Sequence, residues 1–308
     1  MSDWLRKNRQ QIFKVLGSLI ALGALFFLLK AQSWDEVLDA VLQISWQRFA
    51  MVLGFMLVSR FFIIGRWYAL LRSAGIEMRF REATSLTFTG LFASNFLPST
   101  VGGDLVRIGG VLQLGYDRTI STASVLVDRL VGMLGMTMLA PLGLVSLFEW
   151  RSAHPELINN LISLPVFFEK IGAAFKKFFL SLQIWLKKPM SLVVSLLFTW
   201  GHMLCLFAAL YIISVGLGES ISYWELAGIW SLAYFVTLIP ISVNGYGLQE
   251  LSLTYLLSNV GGMTLTHSLV IALLVRIIFI IASLPGAFFL SSVMASIRSN
   301  KELYEEGI

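Results

Sequence analysis

Five stretches of this chain, 12–29, 49–70, 121–147, 191–216 and 267–292, are long, apolar and almost free of charge. A helix rises ~1.5 Å per residue, so roughly 20 such residues cross the ~30 Å hydrocarbon core of a bilayer. Composition agrees: of 308 residues, 57% are hydrophobic and only 13% are charged, about half the charged share of soluble domains. So few charges could not cover a soluble fold of this apolarity, and disorder is excluded for the same reason. The expectation is an all-α polytopic membrane helix bundle of about 6–8 hydrophobic segments, with lipid as its solvent.

Two further apolar runs, TSLTFTGLFASNFL (84–97) and LAGIWSLAYFVTLI (226–239), are too short to span. Each stops at a proline, Pro98 or Pro240, followed by a glycine-containing turn, as re-entrant half-helices would. LPSTVGG (97–103) matches IPISVNG (239–245) at an offset of 142. That offset also carries 49–70 onto 191–212, 84–97 onto 226–239 and 121–147 onto 263–289. The pattern of span, half-helix, turn and span is therefore used twice, which predicts two inverted repeats around a site at mid-membrane. The expected organisation is a membrane helix and connector (1–48), a first repeat (49–147), a linker (148–190), a second repeat (191–292) and a polar tail (293–308).

Arg6, Lys7, Arg9 and Lys14 precede the first apolar run, which is long for a signal peptide and has no A-x-A site after it. An uncleaved helix with a cytoplasmic N-terminus is expected. Arg72, Arg79 and Arg81 put the loop after the second span on the same side. In the linker, Phe168, Ile171, Phe175, Phe178, Leu182 and Trp185 form an apolar stripe flanked by Lys170, Lys176, Lys177, Lys187 and Lys188. That predicts a connector helix lying in the headgroup plane. Those lysines favour the inside face, which requires an extra crossing near 157–168, although Asn159, Asn160 and Pro165 make that a poor span.

Charges within spans are costly, roughly 2.5–3.5 kcal/mol each at helix centre, and so face partners or a cavity. Arg60 lies near the middle of its span, while Arg66 is close enough to the end to snorkel. Asp128 and Arg129 are adjacent, so they point to different faces and each needs its own partner, Arg107 or Glu250 for example. Arg276 lies in the last span, Asp104 and Arg107 follow the first turn, and Glu250 follows the second. Five arginines against three acids leave two positive charges unbalanced, a set suited to a phosphate-bearing ligand. Helix N-termini after Gly103 and Gly245 would add free N–H groups. Asp104 has two open roles, capping its helix or serving the site. Gly102, Gly103, Gly245 and Gly247 are expected first as backbone devices of the two turns.

A single cysteine, Cys205, allows no internal disulfide. His154, His202 and His267 are far apart, and His202 with Cys205 is expected to be core packing, so no metal site is expected. No Walker A, H-E-x-x-H or G-x-S-x-G sequence is present. No cofactor and no catalytic residue are expected.

The stretch FLPSTVGGDLVRIGGVLQLGYDRTISTASVLVDRLVGML (96–134) resembles the transmembrane region of the lysylphosphatidylglycerol synthase family, the flippase-like membrane proteins. That family has a P-x-x-x-G-G-D-x-x-R block and then a D-R pair, met here by Pro98, Gly102, Gly103, Asp104, Arg107, Asp128 and Arg129. Pro240, Gly245, Gly247 and Glu250 resemble its second block, and the resemblance covers roughly 45–295. It implies a bacterial or archaeal cytoplasmic (inner) membrane protein. In bifunctional relatives this region flips aminoacylated phospholipid that a separate soluble domain makes. No such synthase domain is read here.

The first functional expectation is a non-enzymatic translocator of an anionic or phosphate-bearing lipid, with no ATP hydrolysis on this chain. Arg129, Arg276 and Arg107 would hold phosphate, Asp104 and Glu250 would orient them or exchange protons, and Asp128 and Arg60 are further candidates for substrate binding. Alternatives are a non-transporting partner of a lipid- or glycan-modifying synthase, and a transferase acting on a lipid-phosphate carrier. The expected partners are membrane lipids, with no nucleic acid. The lipid, the direction of movement and the oligomeric state are not legible.

Overall fold

The computed structural model describes residues 2–97, 102–153, 185, 187–239 and 242–291, with the side chains of 2–14, 31 and 151 left aside. Among these residues every regular element is helical: α1 (Ser2–Ala31), α2 (Trp34–Gln43), α3 (Trp46–Ser73), α4 (Phe80–Ser94), α5 (Gly102–Gln113), α6 (Arg118–Ala153), α7 (Pro189–Gly216), α8 (Tyr223–Thr237), α9 (Leu248–Asn259) and α10 (Leu265–Ser283). Four helices are long and apolar enough to cross a membrane, and a fifth crossing arises if Val15–Lys30 and Trp34–Gln43, which meet at 90°, form one broken span. Phe61, Val58, Val145, Leu197 and Phe288 are exposed, as side chains facing lipid tails would be.

The element order α3–α6 recurs as α7–α10, with helices of 28, 15 and 12 residues in both series before the long final helix. A single offset of 142 does not describe the correspondence. Trp46 and Pro189, and Phe80 and Tyr223, open paired helices 143 residues apart. Gly102 and Leu248 are 146 apart, and Arg118 and Leu265 are 147 apart. The second turn is longer, so α9 starts past Gly247 and not at Gly245. Glycines at positive φ follow matching helices, Gly75 and Gly218 after α3 and α7, Gly115 and Gly262 after α5 and α9. Each gives the left-handed residue that ends a helix without a Cβ clash.

The short helices begin earlier than the apolar runs 84–97 and 226–239, because polar residues cap them. The backbone N–H of Arg79 donates to Glu82 Oε2 at 2.9 Å, and Glu225 N–H donates to Ser222 Oγ at 3.1 Å. Both features are polar, so hydropathy alone leaves them out.

α3 and α7 pack antiparallel along their length. At one end the Arg48 guanidinium donates to the Gly216 carbonyl at 3.4 Å, and at the other Lys188 Nζ donates to the Ser73 carbonyl at 2.6 Å. Between them, a Cβ on Gly65 would lie 2.6 Å from the Phe198 ring, and one on Gly201 would lie 2.4 Å from the Phe62 ring. α6 runs through Pro141 and meets α8 where Gly143 faces the Gly228 backbone, and Gly286, beyond α10, likewise faces the Phe88 carbonyl of α4. Small residues at such crossings let helices approach closely.

Trp185, expected on a lipid-facing stripe, is instead fully buried and donates Nε1–H to the Leu70 carbonyl at 3.2 Å. A buried indole needs a partner, and the last turn of α3 supplies one. The rest of that stripe, the weak crossing near 157–168, the polar tail, Pro98 and Pro240 lie outside the described residues. The sequence reading gave 34–43 no helix. There α2 starts after Ser33, without a side-chain cap, and buries Val37 and Ala40.

Candidate functional site: a cavity walled by arginine

The half-helices return on themselves beside the long helices, and a cavity of about 490 Å³ lies between the two series. Its wall includes Arg60 and Arg66 from α3, Arg129 from α6 and Arg276 from α10. Asn95, His202, Asn244 and Gln249 add neutral polar groups, and Met136, Trp230 and Phe279 supply apolar surface. No carboxylate stands among the described lining residues.

The three acids stand behind the arginines. Asp128 is almost fully buried and accepts from Arg66 Nε at 2.7 Å and from an Arg107 terminal nitrogen at 2.9 Å. Asp104 accepts from Arg129 Nε and lies 3.5 Å from Arg107. Glu250 accepts from Arg276 Nε. In all three arginine–carboxylate contacts at the wall, the Nε edge meets the acid. Arg276 is further held by the Gln249 side-chain oxygen at 3.0 Å and the Gly245 carbonyl at 3.3 Å, with its plane over Tyr246 at 4.6 Å. Several hydrogen bonds and a stacked ring together fix a guanidinium in one orientation.

The two series contribute in parallel. Asp104 and Glu250 are the third residues of α5 and α9, and Arg129 and Arg276 are the twelfth residues of α6 and α10. Each half thus carries one acid–arginine pair in the same register. Arg129 is the more accessible, with 38% of its side chain exposed against 12% for Arg276.

Arg60 has a different environment. It is buried, its Nε has no hydrogen-bond partner, and no acid lies within salt-bridge distance among the described residues. Its guanidinium sits 5.0 Å from the Phe279 ring. A cation–π contact returns about 0.5–2 kcal/mol, less than the roughly 2.5–3.5 kcal/mol that a mid-membrane arginine costs. This position is held at a deficit that an anion in the cavity would offset.

Several expectations change. Asp104 does not cap α5; it lies inside the first turn and serves Arg129 and Arg107. Arg107 is not at the cavity wall. It bridges the two aspartates beneath it, with its plane over Trp67 at 4.1 Å. Asp128 does pair with Arg107, but Glu250 pairs with Arg276 and Arg129 pairs with Asp104. Arg66 does not snorkel: it is buried and lines the site. Gly245 contributes a carbonyl to Arg276 and not a helix N–H. Gly247 at φ +77 lets α1 approach, since a Cβ there would lie 2.6 Å from Ala21 Cβ. Gly103 is the close-packing point of the first hairpin, where a Cβ would meet the Gly90 carbonyl at 2.2 Å. Gly102 is packed against Leu97.

Sequence reasoning missed His202, Asn95 and Gln249. His202 Nδ1 lies 2.6 Å from Ser59 Oγ, and the Asn95 carbonyl accepts from Tyr246 O–H at 3.1 Å. Gln249 beside Glu250, and Asn95 just before the first turn, were the available signals. Among the described residues no three His, Cys, Asp or Glu side chains gather as metal ligands.

A bundle of apolar helices with paired short helices and a cation-walled cavity is a polytopic membrane protein. The family model described as the lysylphosphatidylglycerol synthase transmembrane region matches residues 14–286, and the chain belongs to that family. No curated protein matches the chain.

Proposed function

We propose that this protein translocates an anionic, phosphate-bearing lipid, with the cavity as its headgroup site. The observation that carries this is the sign of the wall: Arg60, Arg66, Arg129 and Arg276 reach the cavity, and the carboxylates that hold the last three stand behind them. A phosphate entering here meets guanidinium groups already oriented by Asp104, Asp128 and Glu250, so little ordering remains to be done on binding. The acyl tails stay in the bilayer beside the exposed apolar helix faces.

The antiparallel packing of α3 on α7 and the equal helix lengths of the two series support an inverted repeat. Rocking of one half against the other around a fixed site would then expose the cavity to each leaflet in turn. We read the wall as one for binding, since the acids behind it are engaged with its arginines and its remaining polar groups are amides, hydroxyls, an indole and one imidazole. We place the protein in the cytoplasmic membrane, with the Arg72–Arg81 loop and the N-terminus inside.

The assay is movement of tail-labelled phosphatidylglycerol and phosphatidylcholine in proteoliposomes. Wild type is expected to speed the anionic lipid selectively, and a folded Arg129→Ala, Arg276→Ala protein is expected to fall to the protein-free rate. Equal movement by both proteins removes the proposal. Absence of any movement, with stable capture of a lipid-modifying enzyme, replaces it with the scaffold alternative.

A further inference from the structure

The cavity offers more than its arginines. Three buried side chains on its wall have a polar atom without a hydrogen-bond partner: Arg60 at Nε, Trp230 at Nε1 and Ser242 at Oγ. Arg60 and Trp230 pack on the same ring, Phe279, with the guanidinium 5.0 Å and the indole centroid 5.9 Å from its centre. Guanidinium and indole N–H groups only donate, and a hydroxyl donates as well as accepts. Burying such groups unmet is costly, and acceptor oxygens on a ligand would meet them.

One stretch of the chain supplies these neutral groups. Trp230 belongs to α8, Ser242 and Asn244 to the second turn, and Gln249 to the first turn of α9. Gln249 gives its side-chain oxygen to Arg276 at 3.0 Å, which leaves its NH2 as a further donor. The cavity of about 490 Å³ falls in the range of sites that hold whole small molecules, roughly 300–1,000 Å³, so a phosphate fills only part of it. The group attached to the phosphate then meets indole, hydroxyl and amide. A neutral, hydroxylated group supplies acceptors to them. An ammonium brings only donors, finds no carboxylate among the described lining residues, and stands beside guanidinium groups of like charge. We propose that the cavity selects an anionic lipid whose headgroup beyond the phosphate is neutral and polyhydroxylated, a glycerol, inositol or sugar, and that it turns away headgroups ending in an ammonium. This rests on the reading of the cavity as a headgroup site.

Equilibrium binding to the full chain in detergent micelles tests it, with phosphatidylinositol, phosphatidylglycerol, phosphatidylethanol, phosphatidylethanolamine and tail-free glycerophosphoinositol as probes. The first three carry the same single charge, so a site that reads charge alone binds them equally. Phosphatidylinositol and phosphatidylglycerol are expected to bind about tenfold tighter than phosphatidylethanol, as buried donors gain acceptors. Phosphatidylethanolamine, which adds an ammonium to the phosphatidylethanol headgroup, is expected to bind weakest. In Trp230→Phe and in Ser242→Ala the ratio of phosphatidylinositol to phosphatidylethanol affinity is expected to fall toward one. A ratio read within one protein is not moved by a general loss of folded material. Equal binding of the three anionic lipids, lost in the Arg129→Ala, Arg276→Ala protein, would overturn this proposal and leave the headgroup site standing. A ratio unchanged in both single variants, or phosphatidylethanolamine bound as tightly as phosphatidylethanol, would also overturn it. Glycerophosphoinositol bound as tightly as phosphatidylinositol would overturn the lipid assignment. If no anionic lipid binds, this proposal and the headgroup site fail together.

Discussion

Ser59 and His202 meet across the seam between α3 and α7, hydroxyl to imidazole at 2.6 Å, and each stands equally far from the first residue of its 28-residue helix. Corresponding positions of two antiparallel helices meet here as the proposed inverted repeat requires, beside the cavity that His202 and Arg60 line. The antiparallel register makes a direct prediction. In a Cys205→Ser background, cysteines at 48 and 216, or at 73 and 188, should be joined by a short bis-thiol reagent, and a 48/188 pair should not. Gel mobility after labelling reads the result.

Asp128 is almost fully buried and holds two arginines. Asp128→Ala leaves the Arg66 guanidinium buried without an anion and Arg107 with Asp104 alone. Breaking a buried pair from one side costs about 3–5 kcal/mol. A large fall in thermal midpoint is expected by detergent-solubilised unfolding, with Asp128→Asn intermediate.

Arg60 should behave in the opposite sense. Removing an uncompensated buried charge relieves desolvation, so Arg60→Met is expected to leave ligand-free stability equal or raise it by about 1 kcal/mol. Lipid binding should weaken in the same protein. A site kept for function at a cost in stability shows this pairing.

The first hairpin depends on backbone contact between α4 and α5. Gly103→Ala would put a Cβ 2.1 Å from Ser94 Oγ and 2.2 Å from the Gly90 carbonyl, whereas a Cβ at Gly109 meets nothing within 4 Å. Overpacking of this kind costs about 1–3 kcal/mol or more, while Gly to Ala in an open helix position gains up to about 1 kcal/mol. Gly103→Ala should therefore lower the thermal midpoint and Gly109→Ala should not.

Orientation follows from exposed positions at opposite ends of the bundle. Glu77 and Ser220 are both exposed, after α3 and α7 respectively. In the Cys205→Ser background, Glu77→Cys should be protected from an impermeant thiol reagent added to intact cells, and Ser220→Cys should be labelled.

Much of this was legible because lipid imposes simple rules. Helix length against bilayer thickness placed α3, α6, α7 and α10, and the cost of buried charge singled out Arg60, Asp128, Arg129 and Arg276. What escaped was relational. The two series differ by 143 residues before the turns and by 146 or 147 after them. A single offset therefore hid that Asp104 corresponds to Glu250 and Arg129 to Arg276. Arg66 was misplaced because its depth depends on where α3 stops, and the helix runs on to Ser73 before the Ala74 N–H closes it. Arg107 looked like a ligand group, but only the folded hairpin reveals the two aspartates on either side of it.

The central claim is that the arginine wall holds an anionic lipid headgroup. Lipid mass spectrometry on protein purified in mild detergent, with Arg129→Ala, Arg276→Ala protein alongside, tests it most directly. The account predicts enrichment of one phosphate-bearing lipid over the bulk membrane in wild type, lost in the double variant. The same bulk lipid profile in both proteins would contradict it.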